Sequence, residues 1–326
     1  MMSWSSQTSS DREPNGLVIF GGTASSTLTD RICKYLDVPR GRASLGRFPD
    51  GELLVKIEED VRGKDCFVVQ STSPPVNDHL MELLIFIDCL RRASAKRITA
   101  VIPYYGYARQ DRKSEGRTPI TAKLVANMLT TSGANRAVTM NLHADQIQGF
   151  FDIPVDHLTA APVLAKHFTD RNMENVVLVS PDVGNMKFGN EFASRIGGEL
   201  AVIHKKRLTG DSTVAVSIVG DVRGKKVMMF DDMITTAGTV CEAAKLVREH
   251  GAEEVYVGAT HGVFAGPAVD RLAAAELNEV VVSDTVEIPP TVSKRLKNLT
   301  VLSVANLVGE AIRRIHEHRS VSALFG

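Results

Sequence analysis

Short apolar runs rich in β-branched residues alternate with amphipathic segments along almost the whole chain, which restricts it to an α/β fold with largely parallel sheets. The runs are LVIF at 17, CFVVQ at 66, ITAVIP at 98, RAVTMNL at 136, VVLVS at 176, LAVIH at 200, KVMMF at 226, VYVGAT at 255 and VVVSD at 280. Between them lie helical patterns such as NDHLMELLIFIDCLRRA, TPITAKLVANMLTTSG and TVCEAAKLVREHG, the last two closing at glycine as helices often do. A chain of 326 residues exceeds one comfortable core, so two domains are expected. An internal similarity supports this. The segment from Ala122 resembles the segment from Ala243, with Gly133-Ala134 matching Gly251-Ala252 and His143 matching His261 at one common offset. That pattern suggests a duplicated α/β unit, with residues 16–160 as the first domain and 161–326 as the second.

Charge excludes several function classes. The 38 basic residues balance 38 acidic ones, so nothing global steers the chain to nucleic acid or a membrane surface. Cys33, Cys66, Cys89 and Cys241 show no CxxC spacing and read as buried free thiols of a reducing compartment. Residues 1–15 carry no basic or apolar targeting region and read as a disordered polar tail, and no apolar run approaches the length of a membrane span. The reading is a cytoplasmic protein.

The segment VMMFDDMITTAGTV carries the strongest chemical signal. A buried strand ends in Asp231 and Asp232 and runs through Thr235, Thr236, Ala237, Gly238 and Thr239 into a helix. Backbone N–H groups and hydroxyls at a helix start favour a phosphate, and the two acids are placed to accept hydrogen bonds from sugar hydroxyls. No Walker lysine follows the glycine, so a ribose phosphate fits better than a nucleoside triphosphate. A threonine-capped helix after an ordinary strand is the plainer alternative, and two adjacent acids on an apolar strand weigh against it.

This segment resembles the phosphoribosyl-diphosphate-binding signature shared by type I phosphoribosyltransferases and ribose-phosphate diphosphokinases. Further segments, RFPDGELLVKI at 47, IPYYGYARQDRK at 102, NLHADQIQGFFDIPVDHL at 141, VSPDVGN at 179 and EAIRRIHEHRSVSALF near the end, resemble class I ribose-phosphate diphosphokinases in the same order. The resemblance spans roughly residues 17–325. It implies two tandem type I phosphoribosyltransferase-like domains, each a largely parallel sheet flanked by helices. It also implies transfer of the diphosphate of ATP to the 1-hydroxyl of ribose 5-phosphate, with Mg2+ as cofactor and a homohexamer as the assembly.

Residue roles follow from the same resemblance. Phe48, Asp50, Gly51 and Glu52 fall in the family's adenine-binding segment, contributed by a neighbouring subunit; on chemistry alone, Pro-Asp-Gly is also an ordinary solvated turn. Arg109 and Gln110 match a triphosphate-contacting pair, in a loop whose cations also suit a solvated face. His143 and Asp182 match the positions that contact magnesium. Lys205 and Arg207 match the catalytic lysine and arginine, and alternate residues of an extended segment share a side. Arg62 and Arg117 are candidate anchors for an allosteric anion. Three departures fall in these motifs: Asn141 and Thr235 stand where the family has aspartate, and Asn185 where it has glycine. They leave open a catalytically impaired regulatory subunit as a second reading, with a simple phosphoribosyltransferase as a third.

Overall fold

The computed structural model describes residues 16–181, 186–208 and 213–324. The expected tail at residues 1–15, Asp182 and Asn185 lie outside them. The first half runs β1 (Leu17–Gly21), α1 (Ser26–Leu36), the hairpin β2 (Ala43–Arg47) and β3 (Leu53–Ile57), β4 (Asp65–Val69), α2 (Val76–Arg92), β5 (Arg97–Ile102), α3 (Thr121–Ser132), β6 (Arg136–Met140), β7 (Val155–Leu158) and α4 (Ala161–Thr169). The second runs β8 (Val176–Ser180), α5 (Met186–Ile196), β9 (Glu199–Leu208), β10 (Thr213–Val219), β11 (Lys226–Ile234), α6 (Gly238–Glu249), β12 (Glu254–Gly262), α7 (Ala268–Ala274), β13 (Glu279–Ser283), α8 (Pro290–Arg295), β14 (Leu299–Leu302) and α9 (Ala305–His316).

Two sheets result. The first has the order β1-β4-β5-β6-β7 and is parallel throughout. The second has the order β10-β9-β8-β11-β12-β13-β14, parallel except where β10 folds back on β9. Covering helices bury both faces of the central strands, so that all five residues of β4 and of β13 are buried, which is why such strands read as unbroken apolar runs. The hairpin β2–β3 pairs only with itself, and its mixed exposure shows that neither face is fully covered. α3 closes on Gly133, whose φ of +119° is open to glycine at little cost.

The duplication is visible in strand order, because β1-β4-β5-β6-β7 recurs as β8-β11-β12-β13-β14. Sheet position therefore equates β5 with β12 and β6 with β13. The sequence pairing of Ala122 onward with Ala243 onward instead sets β6 against β12, and this is corrected by one unit. A helix, a Gly-Ala turn and a buried strand are common to successive units of such a sheet, so the match found the motif and missed its register.

The helix after the last strand of each sheet packs on the other half. α4 lies against α5, β12 and β13, and α9 lies against α1. One apolar cluster consequently runs through both halves, joining Ile19, Ile32 and Phe67 to Phe168, Phe230 and Ile312. Within it Phe192 stacks on Phe230 at 3.8 Å between ring centroids. Each exchanged helix is also pinned by a carboxylate at the start of a strand: Asp65 holds Arg97 and His316, and Glu279 holds His167 and Arg171.

Candidate active site

Parallel strands direct their carboxyl ends to one edge, where open α/β sheets bind ligands. Here a cleft of about 890 Å³ is lined from both halves. The second half supplies Asp231, Asp232 and every residue from Met233 to Val240; the first supplies Arg109, Asp111, Arg112, the segment Asn141–Gln146 and Thr159.

β11 continues through Ile234, so the two acids lie on its last turn of strand rather than at its end. Ala237 then takes a left-handed conformation, φ +59°, and turns the chain into α6. Two carbonyls of this loop are tied to residues that do not line the cleft. Thr235 O accepts from the Ala265 N–H at 2.8 Å, and Thr236 O accepts from Arg271 Nη1 at 3.0 Å. No side chain caps α6, so its first amides are available to an anion, which the helix dipole favours.

His143 reaches across from the loop after β6, its Nδ1 lying 2.7 Å from Asp232 Oδ2. The other oxygen, Asp232 Oδ1, accepts from the Met233 N–H, and Asp231 Oδ1 accepts from the Asp232 N–H. Hydrogen bonding to Asp232 raises the His143 pKa above the ordinary histidine value, against the opposing effect of burial. Burial alone would raise the Asp232 carboxyl; its interactions with His143 and Asp231 outweigh this and hold it below the usual carboxylate range.

Asn141 has a left-handed φ of +36°, a conformation that asparagine and aspartate tolerate. Its side chain is committed: Oδ1 accepts from the Ala160 N–H at 2.8 Å and the Thr260 hydroxyl at 2.9 Å, and Nδ2 faces Thr159 Oγ1 at 3.3 Å. The departure at this position thus sits in a hydrogen-bonded junction between the halves. Thr235, the second departure, lines the cleft.

Other sequence candidates are placed unevenly. Arg109 lines the cleft; Gln110 does not, and its side chain bonds to the Thr121 hydroxyl at the start of α3. Phe48, Asp50, Gly51 and Glu52 form the tip of the β2–β3 hairpin and do not line the cleft of their own chain. Arg47 anchors that tip to Gly51 O and to Asp78 on α2. Phe48 remains 47% exposed, an aromatic face without a partner in one chain. Lys205 and Arg207 lie on β9, their backbones paired with Val216 and Val214 of β10. Arg62 precedes β4 and Arg117 follows β5, so within one chain they sit at opposite edges of the first sheet.

Among the described residues no three histidines, cysteines or carboxylates converge as a ligand cage. His143 and Asp232 do meet in the cleft, a sparse pair of the kind that leaves room in a magnesium shell for phosphate oxygens and water. Asp111, Asp145, His157, Phe188 and Glu191 also line the cleft and were not singled out from the sequence. Nothing local distinguishes Glu191 within its amphipathic helix; it enters the site through tertiary placement, beside Thr159 Oγ1 at 3.3 Å.

Residues 17–133 match the N-terminal domain of ribose phosphate pyrophosphokinase, and residues 207–326 match the phosphoribosyl synthetase-associated domain. The chain is 55% identical over 312 residues to the ribose-phosphate pyrophosphokinase of Rhodopirellula baltica, covering 95% of this chain and 98% of that one. It is 51% identical to that of Synechococcus elongatus over 311 residues, covering 95% and 93%. Among solved structures it is similar to phosphoribosylpyrophosphate synthetase from Mycobacterium smegmatis, with a TM-score of 0.86 at 46% identity, covering 93% of this chain and 99% of that one.

Proposed function

The chain belongs to the ribose-phosphate pyrophosphokinase family, and we propose that the cleft shared by its two halves is where it performs that family's reaction. The enzyme transfers the diphosphate of ATP to the 1-hydroxyl of ribose 5-phosphate, giving 5-phosphoribosyl 1-diphosphate and AMP. The observation that carries the site assignment is the meeting of a phosphate-type helix start and two carboxylates with Arg109 and His143 of the other half.

In this reading Thr235 to Thr239 hold the 5-phosphate through backbone amides and hydroxyls. Asp231, with Asp232, accepts hydrogen bonds from the ribose hydroxyls and directs the 1-hydroxyl toward the β-phosphorus. Arg109 binds the triphosphate, and Gln110 braces its loop through Thr121. A bond forms between the 1-oxygen and the β-phosphorus as the hydroxyl proton passes to solvent, while the bond from that phosphorus to the oxygen bridging it to the α-phosphorus breaks, so AMP leaves with the electron pair. Lys205 and Arg207 stabilise the charge that develops there, a role worth a few kcal/mol in a site that excludes water. Magnesium, held by His143 and Asp182 with Asp232 nearby, would neutralise phosphate charge. Phe48, Asp50, Gly51 and Glu52 receive the adenine in the cleft of a neighbouring subunit, which makes a homo-oligomer, a hexamer in this reading, the working form. By packing, the two domains divide at residues 160 and 161, so α4, which follows the first sheet along the chain, counts with the second domain on which it lies. A phosphate-class effector at Arg62 and Arg117 would need those residues from different subunits, since one chain holds them at opposite edges. Among the described residues no helix is long and apolar enough to cross a membrane; we place the enzyme in the cytoplasm.

The test measures AMP and 5-phosphoribosyl 1-diphosphate from purified protein with ATP, ribose 5-phosphate, magnesium and phosphate. Equal amounts of both products, lost in Lys205→Ala with ATP binding retained, support the reading. Folded, ligand-binding protein that makes neither product would assign it a regulatory role instead.

A further inference from the structure

The loop that carries His143 is gripped in an unusual way. The Leu142 N–H donates to His157 Nε2 at 2.9 Å, and the Asn141 carbonyl oxygen lies 3.2 Å from His261 Nε2. These are the two polar ends of one peptide group. His157 belongs to β7 at the edge of the first sheet, and His261 to β12 in the middle of the second. We propose that His157 and His261 are positioning residues that clamp the Asn141–Leu142 peptide between the halves and thereby aim His143 at Asp232.

The chemistry of the two rings is complementary. His261 faces a carbonyl, so its Nε2 must carry the proton and donate, which leaves Nδ1 to accept from the Thr285 hydroxyl at 2.9 Å. His157 faces an N–H, so its Nε2 must be bare and its proton lies on Nδ1, on the side of the Asp145 carboxylate 3.9 Å away. One ring donates and the other accepts, and neither can do the other's work. His261 is also only 2% exposed, and Tyr104 packs edge-on against it at 5.1 Å, so its ring cannot swing away.

Geometry closes the circuit. On the second sheet His261 is the register partner of Met233, the residue after Asp232. Asp232 and the ring that holds the loop are therefore fixed to one another through adjacent strands. From the held peptide only Leu142 separates Asn141 from His143, and the left-handed turn at Asn141 sets the direction of departure. With either ring removed, the turn is free to relax and the His143–Asp232 contact to lengthen. The catalytic consequence rests on the reading that this pair serves the reaction.

The experiment compares His157→Leu with His157→Gln, and His261→Leu with His261→Gln. Glutamine can accept at the first position and donate at the second, whereas leucine can do neither. Two quantities are read: hydrogen exchange of the Leu142 amide, and kcat with KM for both substrates. Each leucine variant is expected to speed that exchange and to lower kcat about 10- to 100-fold with KM changed far less, as for lost outer partners of active-site groups. Glutamine should restore much of both. Unchanged Leu142 exchange in a folded leucine variant, or glutamine no better than leucine, overturns the clamp. Should His261→Leu fail to fold, the His157 pair decides, since that ring lies on an edge strand. Unimpaired turnover in His143→Ala would instead overturn the reading of the site, which the exchange does not depend on.

Discussion

Replacing Asn141 by alanine, glycine and aspartate separates two physical contributions that meet at one residue. Its Oδ1 accepts from the Ala160 N–H and the Thr260 hydroxyl, both in residues with no exposed surface. Alanine orphans both donors. An unsatisfied buried N–H costs about 1–3 kcal/mol, and the hydroxyl, which can rotate, about 1 kcal/mol. Alanine at φ +36° adds about 1–2 kcal/mol of left-handed strain. Because Asn141 lines the cleft, water can reach one side, which places the expected loss for Asn141→Ala near 4 kcal/mol, below the upper limit of that sum. Glycine loses the same bonds without the strain and should be about 1 kcal/mol less damaging. Aspartate keeps both acceptor bonds and the tolerance for this conformation, and the Thr159 hydroxyl can turn from Glu191 to meet its second oxygen, so its cost should stay within about 1 kcal/mol. Urea midpoints at one protein concentration give the order. Alanine no worse than glycine would refute the strain argument, and aspartate as damaging as alanine would refute the acceptor argument.

Burial pushes the His261 imidazole down to about 4, so between roughly pH 6.5 and 4 the unfolded chain binds a proton that the folded chain refuses. Stability should fall by about 3 kcal/mol as pH drops through that window, and His261→Gln should flatten this part of the curve; an unchanged slope would contradict it. His143 acts in the opposite sense: its raised pKa stabilises the fold below about pH 6.5, and that contribution fades as pH rises through the folded value, so Asp232→Asn should abolish it in a titration of stability. Ala237→Gly relieves the left-handed strain ahead of α6 and should raise stability by about 0.5–1 kcal/mol, read as a higher melting temperature. Asp65→Asn removes the acceptor shared by Arg97 and His316 and should cost about 2 kcal/mol, with faster amide exchange in the last turn of α9; exchange unchanged there would show that the apolar face alone fixes the helix.

How much of this was legible follows from burial. The nine apolar runs became β1, β4, β5, β6, β8, β9, β11, β12 and β13, mostly strands with neighbours on both sides. β2, β3, β7 and β14 gave no comparable signal, and β10, although its sequence TVAVSIV is apolar, adjoins the polar stretch LTGDST. Each is a sheet edge or part of the isolated hairpin, and β7 and β14 are four residues long with mostly half-buried side chains. With a face open to water, an edge strand need not be continuously apolar. The site divides in the same way. Asp231, Asp232 and the loop to Thr239 are contiguous in sequence, so their meeting in one cleft could be read from it; His157, Glu191 and His261 meet partners in other elements, and no local pattern announces that.

The exchange of α4 and α9 determines what kind of motion the enzyme can use. Separating the halves would strip α9 from α1 and α4 from β12 and β13, and would open a cluster that contains Phe67, Phe168 and Phe230. It would also break the His316–Asp65 contact and the Arg171–Glu279 ion pair, leaving Arg171 without its counter-charge. Hinge opening between the halves is therefore expensive, unlike the loosely joined domains that close on a substrate. The His157–His261 clamp adds polar bonds across the same junction, at the base of the cleft. A fixed junction keeps His143, Asp232 and the loop from Thr235 to Thr239 in register, which favours pre-organised charge stabilisation. Entry of substrate and closure over it then fall to segments within a half rather than to movement of the halves.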